Sequence, residues 1–157
     1  MALDFPDFIL EDAIIPDLKA IDQAGALGEM VDAFVRAGAL ARDHRPGVLQ
    51  ALLQRERKSS TIIGPGLAVP HTKHPGLSRL VGLVARSREG VVFDGTADPC
   101  RIFFMILCGP RDGDHHLETL ARIAKACKDP LFLRCLLGGR DARGLMAYLT
   151  NYNDGQG

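Results

Sequence analysis

The stretch Arg101-Ile102-Phe103-Phe104-Met105-Ile106-Leu107-Cys108 is almost continuously apolar. A strand that meets solvent on one face alternates; one with no polar alternation is buried on both faces. This segment therefore reads as a central strand, and a central strand needs helices on both sides of its sheet. It is also far too short to span a bilayer. The rest of the chain must supply the covering layers.

It does so at helical spacing. Leu27, Met30, Val31, Phe34 and Val35 share one face of a helix over residues 24–38, with Gly38 as its stop. Pro46 suits the first turn of a second helix that carries Val48, Leu49, Leu52 and Leu53 and ends in the basic run to Lys58. A third helix is predicted from His115 to Lys128, capped by Asp114 or Asp112, with Leu117, Leu120, Ile123, Ala124 and Cys127 as its buried stripe. Two short helices follow near residues 130–137 and 141–149, separated by Gly138-Gly139, and 151–157 reads as a frayed tail. Strand signals are Leu80–Arg86, Gly90–Phe93 as its extension or as a short strand after it, and an edge strand near Asp17–Ala20, where Pro16 excludes a central place. Residues 72–76 read as a loop, and Asp94–Pro99 as a turn. The class is α/β, a mixed sheet between helical layers, in one domain of 157 residues with its core over about 10–149.

Charge and composition narrow the function. Nineteen basic residues balance nineteen acidic ones, and Trp is absent, which argues against nucleic acid as a partner. The acidic N-terminus lacks the basic start and apolar core of a signal peptide, so the expected compartment is the cytoplasm. Cys100, Cys108, Cys127 and Cys135 form no C-x-x-C pair and read as reduced thiols packed as small hydrophobes.

The chemistry gathers around Ser60-Thr61-Ile62-Ile63-Gly64-Pro65-Gly66-Leu67-Ala68-Val69-Pro70-His71. Pro70 should end or edge a short strand and hold His71 where the sheet meets solvent. Arg55 lies where the second helix gives way to this stretch, and His115-His116 opens the third helix. Helix N-termini bind anions and disfavour a protonated His, which leaves the nucleophilic form of imidazole. An Arg fork pairs with phosphoryl oxygens. Two imidazoles, an Arg and a helix N-terminus make a phosphoryl-transfer site that needs no metal or cofactor. On a helix His115 and His116 point about 100° apart, so only one of them faces the site; spacing does not decide which. The competing reading is a metal site from His71, His74 and His116, which no Cys or carboxylate completes in a usual ligand pattern. His44 and His115 read as surface residues.

On these residues the chain resembles the EIIA domains of the bacterial phosphoenolpyruvate-dependent phosphotransferase system, in the fructose–mannitol class that includes the nitrogen-regulatory EIIA proteins. The resemblance rests on Leu52–Glu56 with Ser60–His71, and on His116-Leu117-Glu118-Thr119-Leu120-Ala121-Arg122-Ile123-Ala124. It implies a mainly five-stranded mixed sheet. It also implies that His71 is the phosphorylated residue, taking its phosphoryl group from an HPr-type phosphocarrier and passing it to an EIIB acceptor or using it on a regulatory target. His116 would support the phosphorylated imidazole, and Arg55 would neutralise phosphate. Pro65 departs from the polar residue common in the Gly-x-Gly turn and removes one N–H there.

Overall fold

In the computed structural model, residues 4–93 and 98–152 are described. Strand β5, Cys100–Cys108, lies at the centre of a five-stranded mixed sheet. Along one edge run β2 (Leu67–Ala68) and β3 (His71–Lys73), both parallel to it. They keep a single register, Leu67 opposite Ile102 and His71 opposite Ile106, so they are one line of chain interrupted at Val69-Pro70. Along the other edge runs β4, Val81–Val91, antiparallel. Strand β1, Ile62–Gly64, pairs antiparallel with β2. The turn between them places Pro65 first and Gly66, at φ +74°, second, as a type II turn favours.

The two faces of β5 divide the core as its sequence requires. Phe103, Met105 and Leu107 pack with α2 (Gln23–Arg36) and α3 (Arg45–Lys58). Ile102, Phe104 and Ile106 pack with α1 (Phe5–Phe8), α4 (Gly113–Ala126), α5 (Pro130–Gly138) and α6 (Ala142–Asn151). On that second face Phe5 stacks on Phe132 at 5.5 Å, and Arg122 lies over the Phe5 ring at 4.9 Å. Among the described residues no helix is long and apolar enough to cross a membrane. All four cysteines are free; Cys100 and Cys108 are buried in the core.

Three local expectations are corrected. The segment Asp17–Ala20 is not a strand. The N-terminal segment pairs with this edge through isolated bridges, Ile9 with Gly82, Ile15 with Ala85, and Asp22 with Val92 just past the end of β4. Leu18 N–H still reaches the Arg86 carbonyl at 2.8 Å, but the Glu29 carboxylate takes the next two amides, Lys19 and Ala20, and draws the chain off the sheet. Residues Thr72 and Lys73, expected in a loop, continue β3, because β5 extends far enough to pair with them. Of the two readings of Gly90–Phe93, extension holds: β4 runs on to Val91, with a register shift between Arg86 and Val91 and Gly90 at φ +91°. A side chain at Gly90 would also strike the Pro99 ring, its Cβ falling 2.5 Å away.

The third correction concerns α4. It starts at Gly113, and neither aspartate caps it through its side chain: Asp112 occupies the N-cap position, but its carboxylate accepts from Gly109 N–H at 3.0 Å. The buried positions are His116, Thr119, Ile123 and Ala126, and Leu117 is 69% exposed. The helix is rotated from the predicted stripe because an imidazole, not a leucine, fills the inward position of its first turn. Residues 94–97 of the predicted turn and 153–157 of the predicted tail lie outside the described residues.

Candidate functional site

His71 opens β3, directly after the Val69-Pro70 interruption. Pro70 has no N–H to give the ladder, yet its carbonyl accepts from Ile106 N–H at 3.0 Å, so the backbone beside His71 stays tied to β5. The ring is tied as well. Its Nδ1 lies 2.7 Å from the Val69 carbonyl, which can only accept, so Nδ1 carries the proton. Nε2 is then the unprotonated nitrogen with the free lone pair.

The Val69 carbonyl is itself anchored. Val69 N–H donates to the Thr61 carbonyl at 2.9 Å, while the Thr61 hydroxyl and amide both donate to the Glu56 carboxylate. Glu56 on α3 thus fixes His71 through two segments of backbone. Sequence reasoning did not assign it this role. Its signal was present: a carboxylate in the last turn of a helix, five residues before a threonine that enters a strand.

His116 meets His71 edge to face, with ring centroids 5.2 Å apart and planes at 85°. It is buried, while His115 is exposed, which settles the choice that helical spacing left open. Its Nδ1 lies 3.0 Å from the Cys108 sulfur at the end of β5. Burial pushes the Cys108 thiol pKa up, so it remains S–H. Burial, then the charges of its neighbours His71, Lys73 and Arg55, push His116 down to about 4, so its ring is neutral. A thiol is a weak acceptor, and neutral imidazole nitrogen is a good one. The thiol therefore donates to Nδ1, and His116 carries its own proton on Nε2. Cys108 was expected only as a core filler; its approach to His116 crosses the loop at 109–112 and leaves no mark on residue spacing.

Electrostatics favour a neutral His71 too. Burial lowers its pKa first; the Val69 carbonyl opposes this, Arg55 adds to it, and Glu56 opposes. Arg55 donates from Nη1 to the Ser59 carbonyl at 2.9 Å, and its charge is felt at both imidazoles. Lys73, two residues beyond His71, brings a second cation: a Cβ added at Gly113 would lie 3.7 Å from its Nζ. The start of α4, with its free N–H groups, therefore faces a lysine beside the two rings.

His74 stands apart from this pair. Its Nδ1 accepts from Gly76 N–H at 2.9 Å, and its ring packs on that of His44 at 5.6 Å. Among the described residues no group of three or more His, Cys, Asp or Glu is placed to hold a metal ion. The arrangement offers one free imidazole lone pair, one N–H donor beside it, and two cations. That set suits covalent capture of an anionic, electrophilic group such as phosphoryl.

Residues 7–152 match the family described as phosphoenolpyruvate-dependent sugar phosphotransferase system, EIIA 2. A nitrogen regulatory protein of Bradyrhizobium diazoefficiens is 33% identical over 145 residues, 92% of this chain and 93% of that protein. A fructose-specific EIIA component of Haloferax volcanii is 37% identical over 103 residues, 65% of this chain and 66% of that protein. The crystal structure of the nitrogen regulatory protein IIA-Ntr from Neisseria meningitidis superposes with a TM-score of 0.81 at 26% identity, covering 91% of this chain and 97% of that one. With a family match across nearly its whole length, this chain is a member of the type 2 EIIA family of the phosphotransferase system.

Proposed function

We propose that the protein is a cytoplasmic phosphohistidine carrier whose phosphorylated atom is Nε2 of His71. The observation that carries this reading is the Nδ1 contact of His71 with the Val69 carbonyl, which leaves Nε2 as the nucleophile. The lone pair of Nε2 attacks the phosphorus of a phosphorylated HPr-type carrier. A new N–P bond forms as the carrier's N–P bond breaks, and the electron pair returns to the carrier. The transferred group gains charge stabilisation from the His116 Nε2–H, from Arg55 and Lys73, and from the start of α4. Because His116 is neutral, it donates without offering a labile positive charge. The phosphoryl group then leaves for an EIIB acceptor or stays as a regulatory mark.

The nitrogen-regulatory relatives favour keeping the second outcome in view. Phosphorylation would add about −1.5 to −2 charge beside the exposed Leu117, which follows His116 on α4, enough to change which partner docks there. Both outcomes use the same histidine.

The reading is tested by incubating the protein with phosphoenolpyruvate, enzyme I and HPr and measuring its intact mass. One phosphoryl group per chain, lost in acid and kept in base as a phosphoramidate is, is the expected result. No uptake, or an acid-stable adduct, would overturn it. Cys108 enters as a positioning residue. Cys108→Val removes one hydrogen bond and frees the His116 tautomer, and is expected to slow uptake about fivefold. The ¹⁵N shifts of the His116 ring should move toward a tautomer mixture, a change that a purely structural role for the thiol would not produce.

A further inference from the structure

At the opposite end of β5 from His71 the surface gathers four arginines. Arg86, Arg88, Arg101 and Arg140, with Ser87 and the turn Leu137-Gly138-Gly139, line a depression of about 490 Å³. It shares no residue with the histidine site: Arg86 stands opposite Ile102, and His71 opposite Ile106, four residues or about 13 Å along the strand. In a chain whose charges sum to zero, this is a strong local excess.

The positive charge is poorly matched. Arg86 is only 4% exposed. Its Nε donates to the Pro16 carbonyl at 2.9 Å, and its Nη1 to the carbonyls of Leu136 at 3.3 Å, Leu137 at 2.9 Å and Gly139. The last three oxygens lie at the C-terminal end of α5, and none of the four carries a full negative charge. Its Nη2 makes no hydrogen bond among the described residues. Arg101 likewise donates to a carbonyl, that of Arg88. Among the described residues the carboxylate paired within this group is Asp17, 4.0 Å from Arg88, and Asp17 is already held by Lys19 at 2.9 Å. Burial and the neighbouring Arg88 both depress the Arg86 pKa, with Asp17 opposing, as expected of a cation in a positive field.

We infer that this depression binds a small phosphorylated metabolite carrying two phosphate groups, as a diphosphate or bisphosphate. Guanidinium forks pair with phosphate oxygens; Arg88 and Arg140 present exposed side chains, while Arg86 and Arg101, partly engaged by carbonyls, add their charge, and four such charges can neutralise two phosphate groups. The volume lies in the range of small-molecule sites. Among the described residues Leu137 is its one large apolar residue and no aromatic ring lines it, so they offer no surface on which a nucleobase would stack. The buried floor supplied by Arg86 is reached by a small anion rather than by a flat protein surface.

The test is a ¹H–¹⁵N NMR titration of the full chain with pyrophosphate at low ionic strength, beside inorganic phosphate. Saturable shifts are expected at Ser87, Arg88, Arg101 and Gly138–Arg140, with pyrophosphate at least about tenfold tighter than phosphate. The double variant Arg88→Gln/Arg140→Gln changes two exposed side chains and leaves the Arg86 cap of α5 in place. It should keep the wild-type spectrum elsewhere and lose at least about tenfold in affinity. Shifts confined to His71, Lys73 and His116, equal binding of the two anions, or a double variant that titrates like wild type would each overturn the proposal. None of these outcomes bears on phosphorylation of His71.

Discussion

The His71→Ala protein is expected to take up no phosphoryl group from phospho-HPr while keeping its fold. The loss is complete because a single atom is the nucleophile, and no neighbour can replace it. His116 is the nearest imidazole, but its Nδ1 is occupied by Cys108 and its Nε2 carries the proton. Loss of a covalent nucleophile removes the reaction path rather than slowing it. The fold survives because His71 holds its place through backbone pairing with Ile106, which alanine preserves. The measurement is intact mass after incubation with the phosphorylated carrier, beside circular dichroism. Uptake equal to wild type would transfer the role to another residue.

Stability should depend on pH through His116. Its folded pKa is lowered from 6.5 to about 4, so below 6.5 the unfolded chain binds a proton that the folded chain refuses. Stability is therefore full above pH 6.5 and falls as pH drops from 6.5 toward 4. The span corresponds to a loss of roughly 3 kcal/mol. His71, also lowered, adds to the loss in the same direction. Urea unfolding at pH 7.5 and pH 4.5 measures it, with His116→Gln as the control that keeps an uncharged polar group beside Cys108. Wild type should lose roughly 3 kcal/mol more than the variant across that interval, the His71 contribution being common to both. Parallel losses in the two proteins would show that His116 titrates normally and is not held neutral.

Much of this architecture was legible from the apolar run at 102–108. A strand without polar alternation forces helices onto both faces, and Phe103 and Phe104 do enter opposite cores. The helices α2 and α3 were equally plain, because their apolar residues recur at helical spacing and Gly38 and Pro46 mark an end of each. What spacing misread were places where a single side chain outbids the pattern. Glu29 draws Lys19 and Ala20 off the sheet from ten and nine residues away. His116 turns inward where a leucine was expected, because Cys108 and His71 offer it polar and aromatic partners that the helix alone does not reveal. The resemblance named His71, His116 and Arg55, and the fold gathers their charges and rings at one end of β5. Glu56, Lys73 and Cys108 complete that surrounding, and each depends on a contact between segments that only the folded chain brings together.

The central claim is that the phosphoryl group sits on Nε2 of His71, with Nδ1 still donating to the Val69 carbonyl. Long-range ¹H–¹⁵N correlation of the ring protons in the ¹⁵N-labelled, phosphorylated protein tests it most directly, because it distinguishes the two nitrogens of each imidazole. The expected result is a phosphorus-coupled Nε2 at His71, a protonated Nδ1 on the same ring, and a neutral His116 protonated at Nε2. Phosphorus coupled to Nδ1 of His71, or to either nitrogen of His116, would contradict it.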